Sequence, residues 1–269
     1  MFIRKIVQNR SEFHKYSITF RTVTVYVQLV QLRLSKMKLA ISIAALLLGI
    51  SSFAFAQSDL ERAKQGFTTL RDELTVNRFS DILFLLDTSD SLDSFGFDTE
   101  KKFIINFLNT IPVGMQAARV EVIPFGDTAS LYIHGVSNPS LERNKCYIFL
   151  KLKHMPLSIN GFSTNTKSAF QLAFDVCLGK YSGQKRVLLN KLKTVVILIT
   201  DGMWNQGLSP VPIAKMLHAA NIEVFAIGVG NVITPDTLQE VVRDPAKQAF
   251  HLKDFAEFDE LSLYVRGGK

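Results

Sequence analysis

The sequence predicts an α/β fold: a doubly wound, mostly parallel sheet with one antiparallel edge strand and helices on both faces. Two segments, 82–86 and 194–200, are continuous apolar runs, which is typical of strands buried on both faces of a parallel sheet. Shorter apolar segments then alternate with stretches of helical periodicity, as expected when helices connect parallel strands. Because no internal repeat interrupts this alternation, we expect one domain over residues 81–266.

The predicted elements follow one another along the whole body of the chain. Strands are predicted at 82–86, 119–125, 129–134, 194–200, 223–228 and 249–252, and helices at 58–74, 97–108, 141–152, 166–178, 211–220, 235–242 and 255–265. The strand at 129–134 should pair in the antiparallel sense with its predecessor. The amphipathic helix within 57–80 should lie at the edge of the domain or connect it to the preceding segment. The closing helix should bury one face, made of Phe255, Phe258, Leu261 and Tyr264.

Residues 37–56 have the layout of a secretory signal peptide. A lysine lies on each side of the first methionine of this segment, an apolar centre follows, and the last three residues, Ala-Phe-Ala, form a cleavage site. We therefore expect cleavage after Ala56 and a secreted, extracellular protein, with residues 1–36 as an upstream extension or a long n-region. A membrane location stays open only if this signal is an uncleaved anchor.

The formal net charge of +7 lies in residues 1–56. These residues carry eight Lys or Arg against one Glu, so residues 57–269 hold equal numbers of basic and acidic side chains. A nucleic-acid-binding domain needs a basic face of its own. The charge therefore gives no reason to expect a nucleic-acid partner.

Two cysteines, Cys146 and Cys177, lie in the part of the chain that we expect to be exported, where disulfides can form. A bridge between them is compatible with the sequence, and so are two separate thiols that pack as small hydrophobic groups. The Cα separation that a bridge requires cannot be read from the sequence. Both alternatives stay open.

The first apolar run leads directly into a polar segment. Asp87, Ser89 and Ser91 follow at every second position, and alternate residues of an extended loop point in the same direction. Oxygen ligands with one full charge among them suit Mg²⁺, Mn²⁺ or Ca²⁺ better than zinc. The same residues could instead form a Ser/Asp turn that caps the next helix. This segment alone does not decide between a metal loop and a capped turn.

Two further segments favour the metal site. The second apolar run is followed by Asp201, and ligands of open α/β sheets bind beyond the carboxyl ends of such strands. Between the two runs, a loop at 161–166 carries Thr164 just ahead of a predicted helix. We therefore predict five oxygen ligands from three loops at one end of the sheet, namely Asp87, Ser89, Ser91, Thr164 and Asp201.

These motifs resemble those of the von Willebrand factor type A domain, also called the integrin I domain. The metal-ion-dependent adhesion site of that family combines a DxSxS loop, a TxT loop and a TDG turn. Here the motifs read DTSDS at 87–91, TNT at 164–166 and TDG at 200–202, in the matching order. Phe162 and Lys167 stand where the family often has glycine, but neither position supplies a side-chain ligand.

The resemblance also implies how the site would work. Ser89, Ser91 and Thr164 would touch the ion directly, while Asp87 and Asp201 would reach it partly through waters. The ion would keep a position that a Glu or Asp of a partner fills, so binding would depend on metal. The implied partner is an extracellular protein, such as a collagen, another matrix protein or a cell-surface receptor. Within the family, the chain most resembles the type A domain of a matrix protein with sushi, EGF and pentraxin modules.

Two other functions compete with adhesion. A magnesium-dependent phosphatase with Asp87 as its nucleophile would need a second acid two residues later, where Ser89 stands. The sequence has no G-x-S-x-G motif and no histidine beside a predicted ligand, so we do not expect an enzyme. The other alternative is a type A domain that serves as a metal-independent structural module of the extracellular matrix.

Overall fold

The computed structural model describes residues 57–77, 79–114, 116–138, 144–157, 159–181 and 192–267, and the signal peptide and upstream extension predicted at 1–56 lie outside them. The strands are β1 (Ser80–Asp87), β2 (Arg119–Phe125), β3 (Ile133–His134), β4 (Lys193–Thr200), β5 (Glu223–Val229) and β6 (Ala249–Leu252). They form a six-stranded sheet in the order β3-β2-β1-β4-β5-β6. Neighbouring strands pair in parallel, except for the antiparallel pair β2 and β3. The predicted fold class is confirmed.

The helices of the described residues cover both faces of the sheet. They are α1 (Asp59–Val76), α2 (Ser94–Asn109), α3 (Lys145–Lys153), α4 (Thr166–Cys177), α5 (Val211–Ala219), α6 (Pro235–Gln239), α7 (Pro245–Gln248) and α8 (Phe255–Val265). Because neighbouring side chains of a strand point to opposite faces, the sheet separates two hydrophobic clusters. In β1, Phe84 and Leu86 belong to the cluster under α1, α2 and α8, whereas Leu83 and Leu85 belong to the cluster under α4 and α5.

The helix predicted at the edge of the domain, or as a connection, is instead part of the core. The side chains of α1 that face the sheet are buried, namely Ala63, Phe67, Leu70 and Leu74. Phe67 lies 5.1–5.8 Å, between ring centroids, from four other aromatic rings, those of Phe103, Phe107, Phe225 and Phe250. Helical periodicity shows that a helix buries one face but not which surface covers that face, so the sequence alone could not place α1.

The edge strand β3 is shorter than predicted, spanning Ile133–His134 rather than 129–134. Pro124 of the neighbouring strand β2 has no N–H to donate to a partner strand, which interrupts the ladder at this edge. The Pro124 carbonyl still accepts a hydrogen bond from the Ser130 N–H at 3.2 Å, outside a regular ladder. The expected antiparallel pairing is therefore present over a shorter length.

Two predictions near the C-terminus need correction. The helix predicted at 235–242 ends at Gln239, because Val241 and Val242 leave the helix and are buried in the core. The chain then begins the separate helix α7 at Pro245, where a proline is well tolerated in the first turn. In α8 two residues of the predicted face, Phe258 and Leu261, are buried as expected, and Ser262 and Val265 complete the buried face.

The predicted face of α8 is wrong at Tyr264, because the predicted residues repeat every three positions. Such a repeat drifts around a helix that has 3.6 residues per turn, whereas the observed spacing of three and four residues keeps to one side. Tyr264 is 37% exposed, and Val265 is buried in its place. Phe255 is only partly buried and packs against the rim of the core.

The two cysteines are not bridged. Cys146 is exposed near the start of α3, and Cys177 is buried at the end of α4, and both are free thiols. Burial raises the pKa of the Cys177 thiol far above its usual range, so this cysteine packs as a small hydrophobic group. Within the residues that the structure describes, no helix is both long and apolar enough to cross a membrane.

Candidate metal site

The carboxyl ends of β1 and β4 lie side by side at one edge of the sheet. The two strands pair in parallel, with Leu86 opposite Ile199. Each strand therefore delivers its next polar residues to the same place, Asp87 at the end of β1 and Asp201 directly after β4. The Thr200 hydroxyl donates a 2.5 Å hydrogen bond to Asp87 Oδ2 and so ties the two strand ends together.

The serines after β1 connect the two aspartates. Ser91 Oγ donates a hydrogen bond to Asp201 Oδ1 at 2.8 Å and lies 3.0 Å from Ser89 Oγ. The Ser89 N–H in turn donates to Asp87 Oδ1 at 3.0 Å. Asp87, Ser89, Ser91 and Asp201 thus form one continuous group of oxygen atoms, although 110 positions separate Ser91 from Asp201 in the chain.

Thr164 joins this group from the loop before α4. A Cβ placed on Gly202 would lie 3.1 Å from Thr164 Oγ1 and 3.6 Å from Ser91 Oγ, so both hydroxyl groups face the same glycine. Gly202 therefore leaves the space into which the two hydroxyls project. The structure brings together all five residues predicted as ligands.

Two side chains that the sequence analysis does not single out hold the Thr164 loop in place. Asn205 Oδ1 accepts a 2.8 Å hydrogen bond from the Thr164 N–H, and Asp127 Oδ1 accepts one of 2.9 Å from the Ser163 N–H. Hydrogen bonds from the Ser163 side chain and from the Ser163 N–H lower the pKa of Asp127. The Phe162 carbonyl accepts a 3.0 Å hydrogen bond from the Asp90 N–H. The three loops are therefore positioned by hydrogen bonds that involve backbone groups. Such bonds leave no regular residue spacing that could be recognised in a sequence.

The two aspartates of the site are in an environment that disfavours their charged form. Burial raises the pKa of Asp87 to about 6, although hydrogen bonds from Thr200 and Ser89 oppose the rise. Burial also raises the pKa of Asp201, against a hydrogen bond from Ser91. The partners of both carboxylates are hydroxyl and backbone N–H groups rather than Lys or Arg side chains. A divalent cation would supply the positive charge that these contacts do not.

The donor set fits a hard divalent cation. All five side chains offer oxygen, three as neutral hydroxyls and two as carboxylates, which suits Mg²⁺, Mn²⁺ or Ca²⁺. The hydroxyl of Thr166, the second threonine of the same loop, is buried and has no hydrogen-bond partner within the described part of the chain. In the described part of the chain no three His, Cys, Asp or Glu side chains are grouped to hold a metal. A site here would therefore depend on its hydroxyl groups.

The surface around the site is apolar on the Thr164 and Asp201 sides. Phe162 is 64% exposed next to the threonine loop, and Leu208 is 71% exposed on the loop that follows Asp201. Lys167, the other departure from the adhesion-site pattern, is partly exposed in the first turn of α4. A partner that approaches the five oxygen ligands would meet these side chains.

The fold and the site together define a class: a doubly wound α/β domain with a hydroxyl-rich oxygen site at the carboxyl edge of its sheet. Residues 81–263 match the model of the von Willebrand factor type A domain. The chain belongs to this family, and the resemblance of its motifs is confirmed.

Two mouse proteins illustrate the relatives of the chain. It is 29% identical over 213 residues to the Mus musculus sushi, von Willebrand factor type A, EGF and pentraxin domain-containing protein 1, over 77% of this chain and 6% of that protein. It is 26% identical over 196 residues to Mus musculus matrilin-2, over 72% of this chain and 20% of that protein. The chain therefore spans only a small part of the length of these relatives.

Solved structures share the fold. Proximal thread matrix protein 1 from the mussel byssus, in a structure with a zinc-occupied MIDAS motif, is 20% identical with a TM-score of 0.59, over 70% of this chain and 47% of that one. The manganese-loaded TRAP protein of Plasmodium vivax is 21% identical with a TM-score of 0.53, over 69% of this chain and 72% of that one. At these identities the likeness concerns the fold.

Proposed function

We propose that this protein is an extracellular adhesion module that binds a partner protein through a metal-ion-dependent adhesion site formed by Asp87, Ser89, Ser91, Thr164 and Asp201. One observation carries the proposal: oxygen-bearing side chains from three separate loops converge at the carboxyl edge of the sheet. The bond from Ser91 Oγ to Asp201 Oδ1, 2.8 Å long, is the clearest sign of this convergence. No reaction is assigned to the site, and we propose a binding protein rather than an enzyme.

The five residues would bind a cation in two different ways. The hydroxyl oxygens of Ser89, Ser91 and Thr164 would bind the ion directly, and the carboxylates of Asp87 and Asp201 would hold its waters. A bound divalent cation supplies an electrophilic centre for a carboxylate, and neutral hydroxyl ligands leave that character largely intact. Ser91 is exposed, so a Glu or Asp of a partner can reach the site from solvent. We propose Mg²⁺ as the ion, with Mn²⁺ and Ca²⁺ as alternatives.

The relatives support an extracellular partner. They include a matrilin and the alpha-1(XXI) collagen chain of Xenopus laevis, and the structural neighbours include a matrix protein of the mussel byssus. Two neighbours have been described with zinc or manganese. We propose that this chain is likewise secreted, after cleavage following Ala56, and that its partner is a collagen, another matrix protein or a cell-surface receptor.

A metal titration tests the site directly. We expect Mg²⁺ and Mn²⁺ to bind the purified chain and to raise its thermal unfolding temperature, and EDTA to reverse both effects. Asp87→Ala should abolish the response because it removes a buried carboxylate of the site. Asp90→Ala is the matched control, since Asp90 lies in the same loop but is exposed and is not a proposed ligand. If the wild-type chain neither binds metal nor unfolds at a higher temperature in its presence, the metal-independent structural module becomes the better hypothesis.

A second experiment tests the role of the partner's carboxylate. We expect the chain to bind a decellularised matrix with Mg²⁺ present, and to lose that binding in EDTA or with Asp87→Ala. Amidation of the carboxyl groups of the matrix should also abolish binding, whereas mock-treated matrix should keep it. Binding that survives both amidation and EDTA would argue against a carboxylate that completes the metal shell.

A further inference from the structure

Glu100 is a buried carboxyl group that the proposed ligands do not include. It lies in α2 on the same buried side as Phe97 and Ile104, three positions after the first and four before the second. The residue is 0% exposed, and neither of its carboxyl oxygens has a hydrogen-bond partner among the residues that the structure describes. A buried carboxyl group without a partner is costly to a folded protein. Its presence at a buried position therefore calls for a functional explanation.

The charges nearest to Glu100 point to the metal site. Burial raises its pKa well above the usual range, and the next contributions come from Asp87 and Asp201, the two carboxylates of the candidate site. Glu100 thus lies within electrostatic range of both groups, and the ionised forms of the three carboxyl groups repel one another. Among the residues that the structure describes, Asp87 and Asp201 are the charged side chains that contribute to this shift. A cation bound between the loops would offset this repulsion.

The position of Glu100 in α2 is consistent with this proximity. Asp93, two residues after Ser91, caps the helix by accepting a 2.7 Å hydrogen bond from the Gly96 N–H. Glu100 follows six residues after Ser94, a rise of about 9 Å along the helix axis. The connection between the metal loop and Glu100 is therefore short, and Glu100 lies in the first half of α2.

The adjacent lysine does not neutralise Glu100. Lys101 forms an ion pair with Asp98 at 2.8 Å, and its ammonium group lies 4.6 Å from the centroid of the Phe97 ring. Glu100 also does not complete a group of three acidic ligands with Asp87 and Asp201, since the described residues contain no such metal-binding group. Glu100 can therefore act on the metal site only indirectly, through a group that is itself bound to the cation.

We propose that Glu100 is a positioning residue of the metal site, which accepts a hydrogen bond from a water bound to the cation held by the Asp87 and Asp201 loops. This inference rests on the proposed function, because it requires the site to bind a divalent cation. In the metal-free domain the buried carboxyl group of Glu100 lowers the stability of the fold. It gains a hydrogen-bond partner only when the cation is bound. Replacement of Glu100 should consequently separate metal affinity from the stability of the metal-free fold.

The test uses Mn²⁺ titration of the full chain, with thermal unfolding in EDTA measured on the same samples. Glu100→Gln keeps the shape of the side chain but removes the charge, and Glu100→Met replaces it with an apolar side chain of similar size. We expect both variants to bind Mn²⁺ about tenfold more weakly, the scale of losses for groups that support metal ligands. In EDTA the Met variant should unfold at a temperature equal to or above that of the wild type, because it removes an unpaired buried carboxyl group.

Glu240→Gln serves as the control, since Glu240 is exposed and lies outside the site. Wild-type Mn²⁺ affinity in both Glu100 variants, within a factor of two, would overturn the inference and leave the proposed function standing. A wild-type chain that binds no Mn²⁺ would overturn both. If the Gln variant does not fold, the Met variant decides the matter, because its stability in EDTA and its Mn²⁺ affinity are measured independently.

Discussion

At the scale of single residues, Ser91 holds a central place in the candidate site. Its hydroxyl group donates to Asp201 Oδ1 and lies 3.0 Å from Ser89 Oγ, so it joins the loop after β1 to the loop after β4. Asp87 and Asp201 are buried, whereas Ser91 is exposed at the surface. This hydroxyl is therefore both a link between loops and a group that an approaching partner can meet.

Removal of this hydroxyl should weaken metal binding without unfolding the domain. We expect Ser91→Ala to lower Mn²⁺ affinity by at least about tenfold, since the loss of a direct ligand should exceed the loss of a supporting group. Thermal unfolding in EDTA should change little because the side chain is exposed. Ser94→Ala, an exposed serine in the first turn of α2, should bind Mn²⁺ like the wild type. Equal affinity of the Ser91 and Ser94 variants would remove Ser91 from the ligand set.

A second residue-scale prediction concerns pH and lies far from the metal loops. Among the described residues, the buried Nε2 atom of His218 in α5 has no hydrogen-bond partner, and desolvation together with Arg243 lowers the pKa of this histidine. The folded state therefore favours the neutral ring. The stability that this preference contributes is present above pH 6.5, the ordinary value, and is lost as the pH falls through the lowered pKa of the folded state.

We expect urea unfolding to show this loss in the mildly acidic range. As the pH is lowered from 7 through 6, the urea midpoint of the wild type should fall relative to that of His218→Gln. The comparison between the two proteins is needed because Asp87, whose pKa burial raises to about 6, acts in the opposite direction in both of them. His154→Gln, at an exposed histidine, serves as the control and should keep the wild-type profile. A His218→Gln profile parallel to that of the wild type would show that another group dominates the pH dependence.

At the scale of elements, the sequence predicts what depends on periodicity and on strand ends. The continuous apolar run at 82–86 predicted a central strand, and the structure has β1 there. The aspartate after this run, Asp87, lies at the end of the strand as expected. Asn205 and Glu100 escaped prediction because one acts through a loop hydrogen bond and the other interrupts an apolar helix face. Neither role produces a regular pattern of residues in the sequence. The packing of α1 also escaped, because amphipathicity does not name the surface that a helix covers.

The packing of α1 has a consequence that unfolding experiments can measure. Phe67→Ala should destabilise the domain by about 3–5 kcal/mol, because it opens a cavity among four aromatic rings. Phe79→Ala is the matched control, since Phe79 is 58% exposed, and it should cost about 0.5 kcal/mol or less. Urea unfolding followed by circular dichroism gives both values. Similar small losses for both variants would mean that α1 is dispensable for the core.

At the scale of the whole molecule, the sheet provides a rigid base and the metal loops lie at one edge of it. The closing helix α8 is anchored to α2 by its buried face and by Asn106, whose Nδ2 donates to the Ser262 carbonyl at 3.1 Å. Lys102 and Asp259 add an ion pair of 2.6 Å between α2 and α8. In integrin-type domains the closing helix slides as the site tightens, but these contacts favour a helix that is simply packed.

Hydrogen exchange with and without metal distinguishes a packed closing helix from a moving one. At Mg²⁺ concentrations about 100 times Kd, binding should stabilise the folded state by about 2.7 kcal/mol. Below the unfolding transition, we expect local exchange to slow in the metal loops, at 87–93, 160–166 and 201–208. Exchange that reflects local opening of α8 should not change, because the cation adds no contact to residues 255–265. If metal changes the exchange of α8 in the wild type but not in Asp87→Ala, this helix responds to the site.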